Sequence, residues 1–441
     1  MPARGRVDSP PGDLRMIRVG IDIGGTFTDL VLWDDRSGRQ VVHKLPSTPD
    51  DPARAAMAGL EALCAKAGVA VADVDLLLHG STVATNIIPS KPAPPVGFNP
   101  RRGFRDVLHI GRKKRPMNFS NLFDLPRQSQ PIARRRDRIG VAERVLAPDG
   151  RVETPLDEAA VRVAAETFRR RGIAAVGIGF LNAYLNPAHE IRARDIVREV
   201  LPTAHVSTSH EIVPLFREYE RFSTTALDAF VGPKTAAYVE RFAEAARAAG
   251  LSGEVRLMTS AGGTITARAA RARPVSLLMS GPVAGLVAGI EVGRASGFSS
   301  VVSLDVGGTS ADIGVAPEGG MRMKHLLDTR VGDYDAMTPM VDIETIGAGE
   351  GSLARVDTGG FFRVGPQSAG AYPGPAAYGR GGTKPAVTDA LVALGWLGAS
   401  SLARVGVAID VERARAALDE HVARPLGLSI EEAAAGTLRI V

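Results

Sequence analysis

The chain has 441 residues, of which 45% are hydrophobic and 23% are charged, and its net charge is +5 at neutral pH. This length suggests two or three domains, and no apolar run reaches the ~20 residues that a membrane span needs. The arginine cluster at 134–138 has no interleaved aromatic residues, so neither it nor the small net charge indicates a nucleic-acid partner. The single cysteine, Cys64, excludes an internal disulfide and a cysteine-based zinc site.

The hydrophobic pattern alternates between short strands and helices along the chain. Strands are predicted at 17–21, 30–33, 74–78, 173–181, 204–208 and 255–259. Helices are predicted at 51–66, 156–171, 187–200, 215–230 and 233–249. The alternation predicts an α/β fold. The first residues carry proline, glycine and charge but no apolar signal-peptide core, so a cytoplasmic protein without membrane contact is expected.

One short motif occurs twice, each time between apolar runs. It reads DIGGTFTD at 22–29 and DVGGTSAD at 305–312. Two glycines let backbone N–H groups approach phosphate oxygens, the threonine hydroxyl adds a donor, and the leading carboxylate can hold Mg²⁺ or its waters. A single glycine turn between strands is common and weak evidence, whereas two copies predict phosphates gripped from both sides by two related half-structures.

Further loops rich in small residues follow predicted strands. Residues 79–86 read HGSTVATN and offer hydroxyl and amide groups at a sheet edge, although a lone histidine such as His79 is more often a packed residue. Residues 280–285 read SGPVAG, with Pro282 in a first helical turn whose N–H groups could meet an anion. Residues 347–352 read GAGEGS. A tight turn for packing is the alternative interpretation of both glycine loops.

These motifs form an ordered series that resembles a known family. Together with RGFRDV at 102–107, REYERFSTT at 217–225 and VGPQSAGAYPGP at 364–375, they are similar to the hydantoinase/oxoprolinase family over residues 17 to 400. The resemblance implies an actin/Hsp70/sugar-kinase-like ATPase fold, with two related α/β halves and mixed sheets. It also implies ATP-dependent opening of a cyclic amide, such as a hydantoin or 5-oxoproline, by an A-type subunit with a B-type partner; a homo-oligomer is also possible.

Motif matches assign expected roles to individual residues. Asp22 and Asp305 are the expected catalytic residues and would hold Mg²⁺ through water. The expected phosphate-binding residues are Gly24, Gly25, Thr26, Gly281, Gly307, Gly308, Thr309, Gly347 and Gly349. The expected substrate or cleft residues are His79, Thr82 and Asn86. Phosphoryl transfer from ATP to the amide oxygen would create a good leaving group, so that water could attack the ring carbon.

The resemblance also predicts the domain organisation. The predicted segments are a disordered extension at 1–16, an N-terminal hydantoinase/oxoprolinase-type α/β domain at 17–203, and a second ATPase-like α/β domain at 204–441 that is incomplete at its C-terminus. Family members usually continue past the helix at 431–436 into a loop that would contact adenosine. Because this chain stops inside that helix, we expect weak ATP affinity and exposed apolar surface.

Departures from the family pattern leave alternatives open. Five prolines at 87–100 are incompatible with the family's helix or a central strand there, so this stretch is either a compensated frameshift or an extended loop over the cleft. Glu344 and Glu350 stand where histidine and glycine are usual, and a carboxylate beside phosphates weakens anion binding unless it faces a metal or solvent. An acetone-carboxylase-type subunit, another actin-fold kinase and a non-catalytic truncated remnant are the alternative functions, and the sequence does not fix the substrate.

Overall fold

The computed structural model describes residues 16–24, 27–48, 51–81, 84, 87, 95–112, 126–370, 372–398, 400 and 407–441. The expectations for Gly25, Thr26, Thr82 and Asn86, and for residues 1–15 of the predicted extension, lie outside these ranges. Within the described ranges, no helix combines the length and apolar character needed to cross a membrane.

Strands and helices alternate along the chain, which confirms the predicted α/β class. The strands are β1 (Ile17–Ile23), β2 (Phe27–Asp34), β3 (Arg39–Pro46), β4 (Leu76–Ser81), β5 (Val96–Pro100), β6 (Arg144–Val145), β7 (Val152–Thr154), β8 (Ala175–Gly179), β9 (His205–Thr208), β10 (Glu254–Met258), β11 (Thr264–Thr266), β12 (Val301–Val306), β13 (Ala311–Ala316), β14 (Arg330–Val331), β15 (Tyr334–Asp335), β16 (Ile343–Ile346), β17 (Ser352–Val356) and β18 (Phe362–Ser368). The helices are α1 (Pro52–Ala67), α2 (Val107–Ile110), α3 (Pro126–Ser129), α4 (Glu158–Arg170), α5 (Ala188–Val200), α6 (Ser209–Ile212), α7 (Glu218–Ala248), α8 (Ala267–Ala272), α9 (Ser280–Ala295), α10 (Val387–Ala393), α11 (Val411–Leu418), α12 (Arg424–Leu426) and α13 (Ile430–Ile440).

The largest sheet has the strand order β11-β10-β4-β1-β2-β3. It is mixed, since β1 pairs antiparallel with β2 and parallel with β4, which in turn pairs parallel with β10. Helices α1 and α7 contribute to the core that covers one face, where Val19, Ile21 and Leu30 are at most 3% exposed. The sheet takes strands from both sides of residue 203, and the domain division at that residue stays a prediction.

A second unit contains the parallel sheet β5-β8-β9 with α4 and α5 packed together beside it. Helix α4 begins at a cap, because the Asp157 side chain accepts a hydrogen bond from the Ala160 N–H. The core of this unit includes Phe168 and Ile178, both fully buried. This core is separate from the core beneath the large sheet. The described residues therefore form more than one hydrophobic core.

Strand β5 corrects the expectation for residues 87–100. Its residues 96–100 pair with β8 on one side, and on the other side Phe98 bridges to Arg138 and the following Arg101 bridges to Val141. This stretch is therefore a strand rather than an extended loop over a cleft. Four of the five prolines precede residue 96, so the N–H donors of residues 96–99 remain available for the sheet. Pro100 is the last residue of the strand. Residues 88–94 lie outside the described ranges.

Helix α7 replaces the two helices predicted at 215–230 and 233–249. It runs from Glu218 to Ala248 with Pro233 inside it. A proline in a helix interior removes one backbone hydrogen bond and costs roughly 3 kcal/mol. Residues 219–232 are all buried, and this packing offsets the local cost. The sequence rule that a proline ends a helix is therefore overridden by tertiary contacts.

Candidate active site

The two glycine motifs form two β-hairpins of identical register. In the first hairpin, β1 and β2 pair Asp22 with Asp29. In the second hairpin, β12 and β13 pair Asp305 with Asp312. The aspartates that begin and end each motif therefore occupy equivalent positions, and the repeat in the sequence is also a repeat in the structure.

The turns of the two hairpins are closed by the same backbone hydrogen bond. The Gly24 N–H donates to the Phe27 carbonyl at 3.0 Å, and the Gly307 N–H donates to the Ser310 carbonyl at 2.9 Å. Each turn is thus closed by its own backbone. In the second turn, where residues 307–309 are described, the two glycines let a backbone approach a bound anion closely.

The hairpins face each other across a cavity of about 460 Å³. Its walls come from both hairpins, from the beginning of α9 and from the loop around residue 350. The predicted site residues that line it are Asp22, Gly24, Gly281, Asp305, Gly307, Gly308 and Thr309. The fold therefore brings together described residues of both predicted phosphate turns, although they lie far apart in the sequence.

Helix α9 begins at this cavity. Met279 precedes it in a left-handed conformation, with φ of 60°, and Pro282 lies in its first turn. A Cβ atom added to Gly80 would lie 3.6 Å from Asp22 Oδ1 and 3.8 Å from the Cα of Gly281. Small residues thus allow the helix N-terminus to approach Asp22. The positive dipole end of the helix favours an anion in the cavity.

Gly347 and Gly349 stand outside the set of residues that line the cavity. A Cβ atom on Gly349 would come within 2.6 Å of the Gly307 carbonyl oxygen, so only glycine fits there. The neighbouring Glu350 N–H donates to the same carbonyl at 3.0 Å. The loop therefore packs closely against the second turn, which favours the packing alternative for Gly349.

Asp22 lines the cavity in an acidic environment. The Asp22 carboxylate is accessible from the cavity, although protein atoms surround most of it. The loss of surrounding water is the main reason that its pKa is raised to about 6. The charges of Asp305 and Asp29 raise the pKa further, and that of Lys44 opposes them. The effect of the Asp305 charge on the pKa of Asp22 indicates that the two leading carboxylates lie close enough to repel each other at the cavity.

Lys44 is the site residue that the sequence reasoning missed. It lies on β3 opposite Asp29, and its Nζ is 2.8 and 2.7 Å from the two carboxylate oxygens of Asp29. The same Nζ is 4.8 Å from the centre of the Phe27 ring. Its charge also lowers the pKa of Glu350, which burial raises more strongly. The role of Lys44 could be found only from the cross-strand register, because the β2–β3 pairing places this lysine beside the first motif.

The described lining residues make the cavity predominantly acidic. Its carboxylates are Asp22, Asp29, Asp305, Asp312 and Glu350, and its cation is Lys44. In the described part of the chain, no three acidic, histidine or cysteine side chains are grouped so as to hold a metal ion. Separated carboxylate oxygens suit Mg²⁺, which usually keeps several of its waters and takes only one or two protein carboxylates.

A second cavity of about 1010 Å³ adjoins the first. The two cavities share Asp22, Asp29, Lys44, Gly281 and Asp305. The larger one lies between the strands of the large sheet and α9, and apolar atoms make up most of its wall. It offers room for an organic molecule directly beside the two leading carboxylates.

His79 borders the larger cavity but is packed into the core. It is 1% exposed, its Nε2 lies 2.6 Å from the Tyr238 hydroxyl, and its Nδ1 lies 3.2 Å from the Ile21 carbonyl. Its ring stacks on Phe242 at 4.6 Å between centroids. Burial lowers its pKa to about 4, so it is neutral at physiological pH. Both nitrogens are engaged by the protein, which favours the packing alternative over a direct contact with substrate.

Comparison with known proteins identifies relatives over the whole of this architecture. Residues 18–201 match the model of the hydantoinase/oxoprolinase N-terminal region, and residues 221–441 match the hydantoinase/oxoprolinase model. Caprolactamase subunit alpha of Pseudomonas jessenii is 38% identical over 430 residues, which cover 96% of this chain and 61% of the relative. The 5-oxoprolinase of Saccharomyces cerevisiae is 30% identical, over 86% of this chain and 32% of the relative.

Solved structures agree with the sequence comparison. A nucleotide-free structure of acetone carboxylase superposes on this chain with a TM-score of 0.86 at 28% identity. The superposition covers 97% of this chain and 61% of the acetone carboxylase chain. The crystal structure of the Pseudomonas jessenii caprolactamase superposes with a TM-score of 0.74 at 36% identity, again over 61% of its chain. The chain thus spans about three fifths of these relatives. With both of its parts matched by the family models, the chain belongs to the hydantoinase/oxoprolinase family.

Proposed function

We propose that the chain binds Mg²⁺ and ATP in the cavity between the two hairpins, within an actin/Hsp70/sugar-kinase-type fold. The observation that carries this proposal is the pair of hairpins with the same register and the same turn-closing hydrogen bond, facing each other across an acidic cavity. Gly24, Gly307 and Gly308 would accept phosphates by close approach of the backbone, and the N-terminus of α9 would add its dipole. Asp22 and Asp305 would hold Mg²⁺ through water.

We propose that the reaction is the ATP-dependent opening of a cyclic amide. When bound, ATP would supply a phosphoryl group to the amide oxygen and so activate the ring carbon for attack by water. The ring C–N bond would then break with protonation of the nitrogen, and a second water would release phosphate from the acyl phosphate to leave a carboxylate. Lys44 would neutralise negative charge beside the transferred group, and Asp22 and Asp305 would orient it. The larger cavity would hold the cyclic amide against these residues. Similarity to caprolactamase subunit alpha and to 5-oxoprolinase supports this substrate class.

The partner we propose is a B-type subunit, either separate or fused in the longer protein. Caprolactamase subunit alpha is by name one subunit of an assembly. A second candidate activity is that of a carboxylase-type subunit, which the superposition on acetone carboxylase favours. Both activities would use the same nucleotide cavity, so they differ only in the molecule that occupies the larger cavity.

The test is the rate of ATP hydrolysis by the chain together with a B-type subunit. Caprolactam, 5-oxoproline and hydantoin are added singly, and acetone with bicarbonate is added in a parallel reaction. Stimulation by a cyclic amide that disappears in Asp305→Asn but persists in the matched surface variant Asp34→Asn supports the proposal. Stimulation by acetone with bicarbonate alone would assign the carboxylase-type function instead. No stimulation by any of them would favour a non-catalytic chain.

A further inference from the structure

A further cavity, of about 460 Å³, lies at the carboxyl end of the parallel sheet β5-β8-β9. Its walls come from residues within 104–112, which follow β5, from residues 181–182, which follow β8, and from residues 218–219 at the start of α7. We call it the α7 cavity. In open α/β sheets, the crevice outside the carboxyl ends of the strands is the usual place for a ligand.

The α7 cavity is separate from the two cavities at the hairpins, and its described lining shares no residue with theirs. Helix α7 begins beside it at Glu218, and Tyr238 of the same helix contacts His79, which borders the larger hairpin cavity. These two helix positions are 20 residues apart (238 − 218), or roughly 30 Å at the rise of an α-helix. The α7 cavity is therefore not part of the proposed ATP site.

Much of the wall of the α7 cavity is apolar. Phe104, Val107, Ile110 and Leu181 line it, and each of them is partly accessible to solvent. Single exposed apolar residues are ordinary, but a concave group of them suits an organic ligand. The wall therefore offers a surface for a short aliphatic chain.

Three polar side chains in the same wall keep atoms that the described residues do not engage. Arg112 donates to Glu220 through Nε and Nη2, at 2.8 and 2.6 Å, and no described group accepts a hydrogen bond from its Nη1. Asn182 donates through Nδ2 to the Val145 carbonyl at 2.9 Å, and its Oδ1 receives no hydrogen bond from the described part of the chain. The Glu218 carboxylate likewise has no described hydrogen-bond donor and is 34% exposed. The wall thus presents one donor and two acceptors.

The segment that carries Asn182 is held by two buried charges. The Phe180 N–H donates to Glu190 at 2.8 Å, the Phe180 carbonyl accepts from Arg221 at 2.8 Å, and both charged residues are 0% exposed. Arg221 also keeps Nε and Nη1 buried without a partner among the described residues. Buried charges and unpaired donors cost free energy. Together with the left-handed Asn182, at φ of 60°, this clamp is typical of a pre-organised site.

The two acceptors belong to the same end of the α7 cavity. Nη2 of Arg221 lies 2.8 Å from the Phe180 carbonyl oxygen and 3.7 Å from Oε1 of Glu218. The buried guanidinium therefore places Glu218 beside the end of β8, where Asn182 follows two residues after Phe180.

The donor belongs to a different side of α7. Arg112 pairs with Glu220, which is two positions after Glu218 and so projects from the helix in a different direction. Hydrogen bonding to Glu220 raises the pKa of Arg112, and the charge of Glu218 raises it further. Arg112 and Glu218 thus interact at a distance but form no ion pair with each other among the described contacts.

We propose that the α7 cavity binds a small zwitterion, an amino acid whose carboxylate meets Arg112 and whose ammonium group meets Glu218 and Asn182 across an aliphatic chain. A carboxylate only accepts hydrogen bonds and an ammonium group only donates them, which matches the donor at one end and the acceptors at the other. A simple anion would be repelled by Glu218, and a simple cation would be repelled by Arg112. The apolar side chains between them would cover the methylene groups.

The probes for this proposal are ω-aminohexanoate, hexanoate and hexylamine, which share an aliphatic chain and differ in the charges at its ends. Each is titrated calorimetrically against the unaltered chain without nucleotide. We expect ω-aminohexanoate to bind with a Kd of about 1 mM or tighter, and each singly charged probe to bind at least about tenfold more weakly.

The test variant is Glu218→Gln, which keeps the shape of the side chain and removes its charge. Its matched control is Glu240→Gln on the same helix, where the carboxylate is 44% exposed. Glu218→Gln should abolish the preference for ω-aminohexanoate over hexanoate, and Glu240→Gln should retain it. Circular dichroism verifies that both variants fold, and the comparison of probes on the unaltered chain needs neither variant.

Three results would each overturn the proposal. They are no saturable binding of ω-aminohexanoate to the unaltered chain, equal binding of the three probes, and a preference for the zwitterion that survives in Glu218→Gln. The last result would place the ligand in another cavity. Because binding is measured without nucleotide, failure of this proposal and failure of the proposed ATP-dependent function are distinguishable.

Discussion

Lys44 forms an ion pair with Asp29 across β2 and β3, at the wall of the cavity that also contains Asp22. At the equivalent position of the second hairpin, the Thr345 hydroxyl donates to Asp312 at 2.5 Å. The two halves therefore share a backbone plan but differ in charge at this position. The first half supplies a cation where the second supplies a neutral hydroxyl group.

Substitution of this lysine is expected to weaken nucleotide binding. Lys44→Met removes the positive charge that offsets the carboxylates, so the affinity for Mg²⁺ with a non-hydrolysable ATP analogue should fall at least about tenfold, or about 1.4 kcal/mol. Calorimetric titration measures the loss, and Lys44→Arg should retain part of the affinity. Lys234→Met, on the exposed side of α7, is the control. Unchanged affinity in Lys44→Met would remove this residue from the site.

Glu350 is expected to oppose anion binding. It lines the cavity, and burial raises its pKa. Glu350→Gln removes a negative charge next to the phosphates and should tighten nucleotide binding several-fold, most clearly at low ionic strength. The matched control is Glu344→Gln on β16, because Glu344 is 76% exposed and pairs with Lys324. Weaker Mg²⁺-dependent binding in Glu350→Gln would instead identify Glu350 as a metal ligand.

Asp22 is expected to reduce the stability of the metal-free protein at pH values above the pKa of its carboxyl group. Its pKa is raised to about 6 in the folded state, so the unfolded chain gives up this proton more readily and stability falls as the pH rises through this range. Asp22→Asn should therefore raise the unfolding temperature in a chelator at about pH 8, and should change it little at about pH 4, where Asp22 is protonated. Thermal unfolding across this range measures the effect. An equal shift at both pH values would contradict the electrostatic explanation.

The hydrogen bond between Tyr238 and His79 is expected to act on stability rather than on binding. Both side chains are buried, so Tyr238→Phe leaves the His79 Nε2 without this partner and should cost about 1–3 kcal/mol in the free energy of unfolding. Denaturant titration measures the cost, and nucleotide affinity should change by less than about twofold. A large loss of affinity at unchanged stability would restore a direct role for His79.

The sequence was sufficient to predict the parts of the site that depend on local chemistry. The glycine pairs and flanking aspartates predicted two hairpins, and the structure confirms them because turn geometry depends on adjacent residues. Their apposition across one cavity agrees with the repeat, since related halves present equivalent edges. The helix at α9 was also predicted from Pro282 at its first turn.

The parts that sequence reasoning missed depend on contacts between distant segments. Lys44 becomes a site residue only through the register of β2 and β3. His79 borders the larger cavity, but Tyr238 and Phe242, on a helix far along the chain, enclose its ring. Pro233 does not end α7 because the preceding residues are buried. Local propensity cannot report any of these tertiary effects.

Two hairpins that hold one nucleotide between them would need both leading aspartates, and titration of Mg²⁺ with a non-hydrolysable ATP analogue measures this dependence. Asp22→Asn and Asp305→Asn are each expected to weaken Mg²⁺-dependent binding at least about tenfold. Asp34→Asn, at the far end of β2, is expected to bind like the unaltered chain. Binding that stays unchanged in both Asp22→Asn and Asp305→Asn would show that the two hairpins do not hold the nucleotide between them.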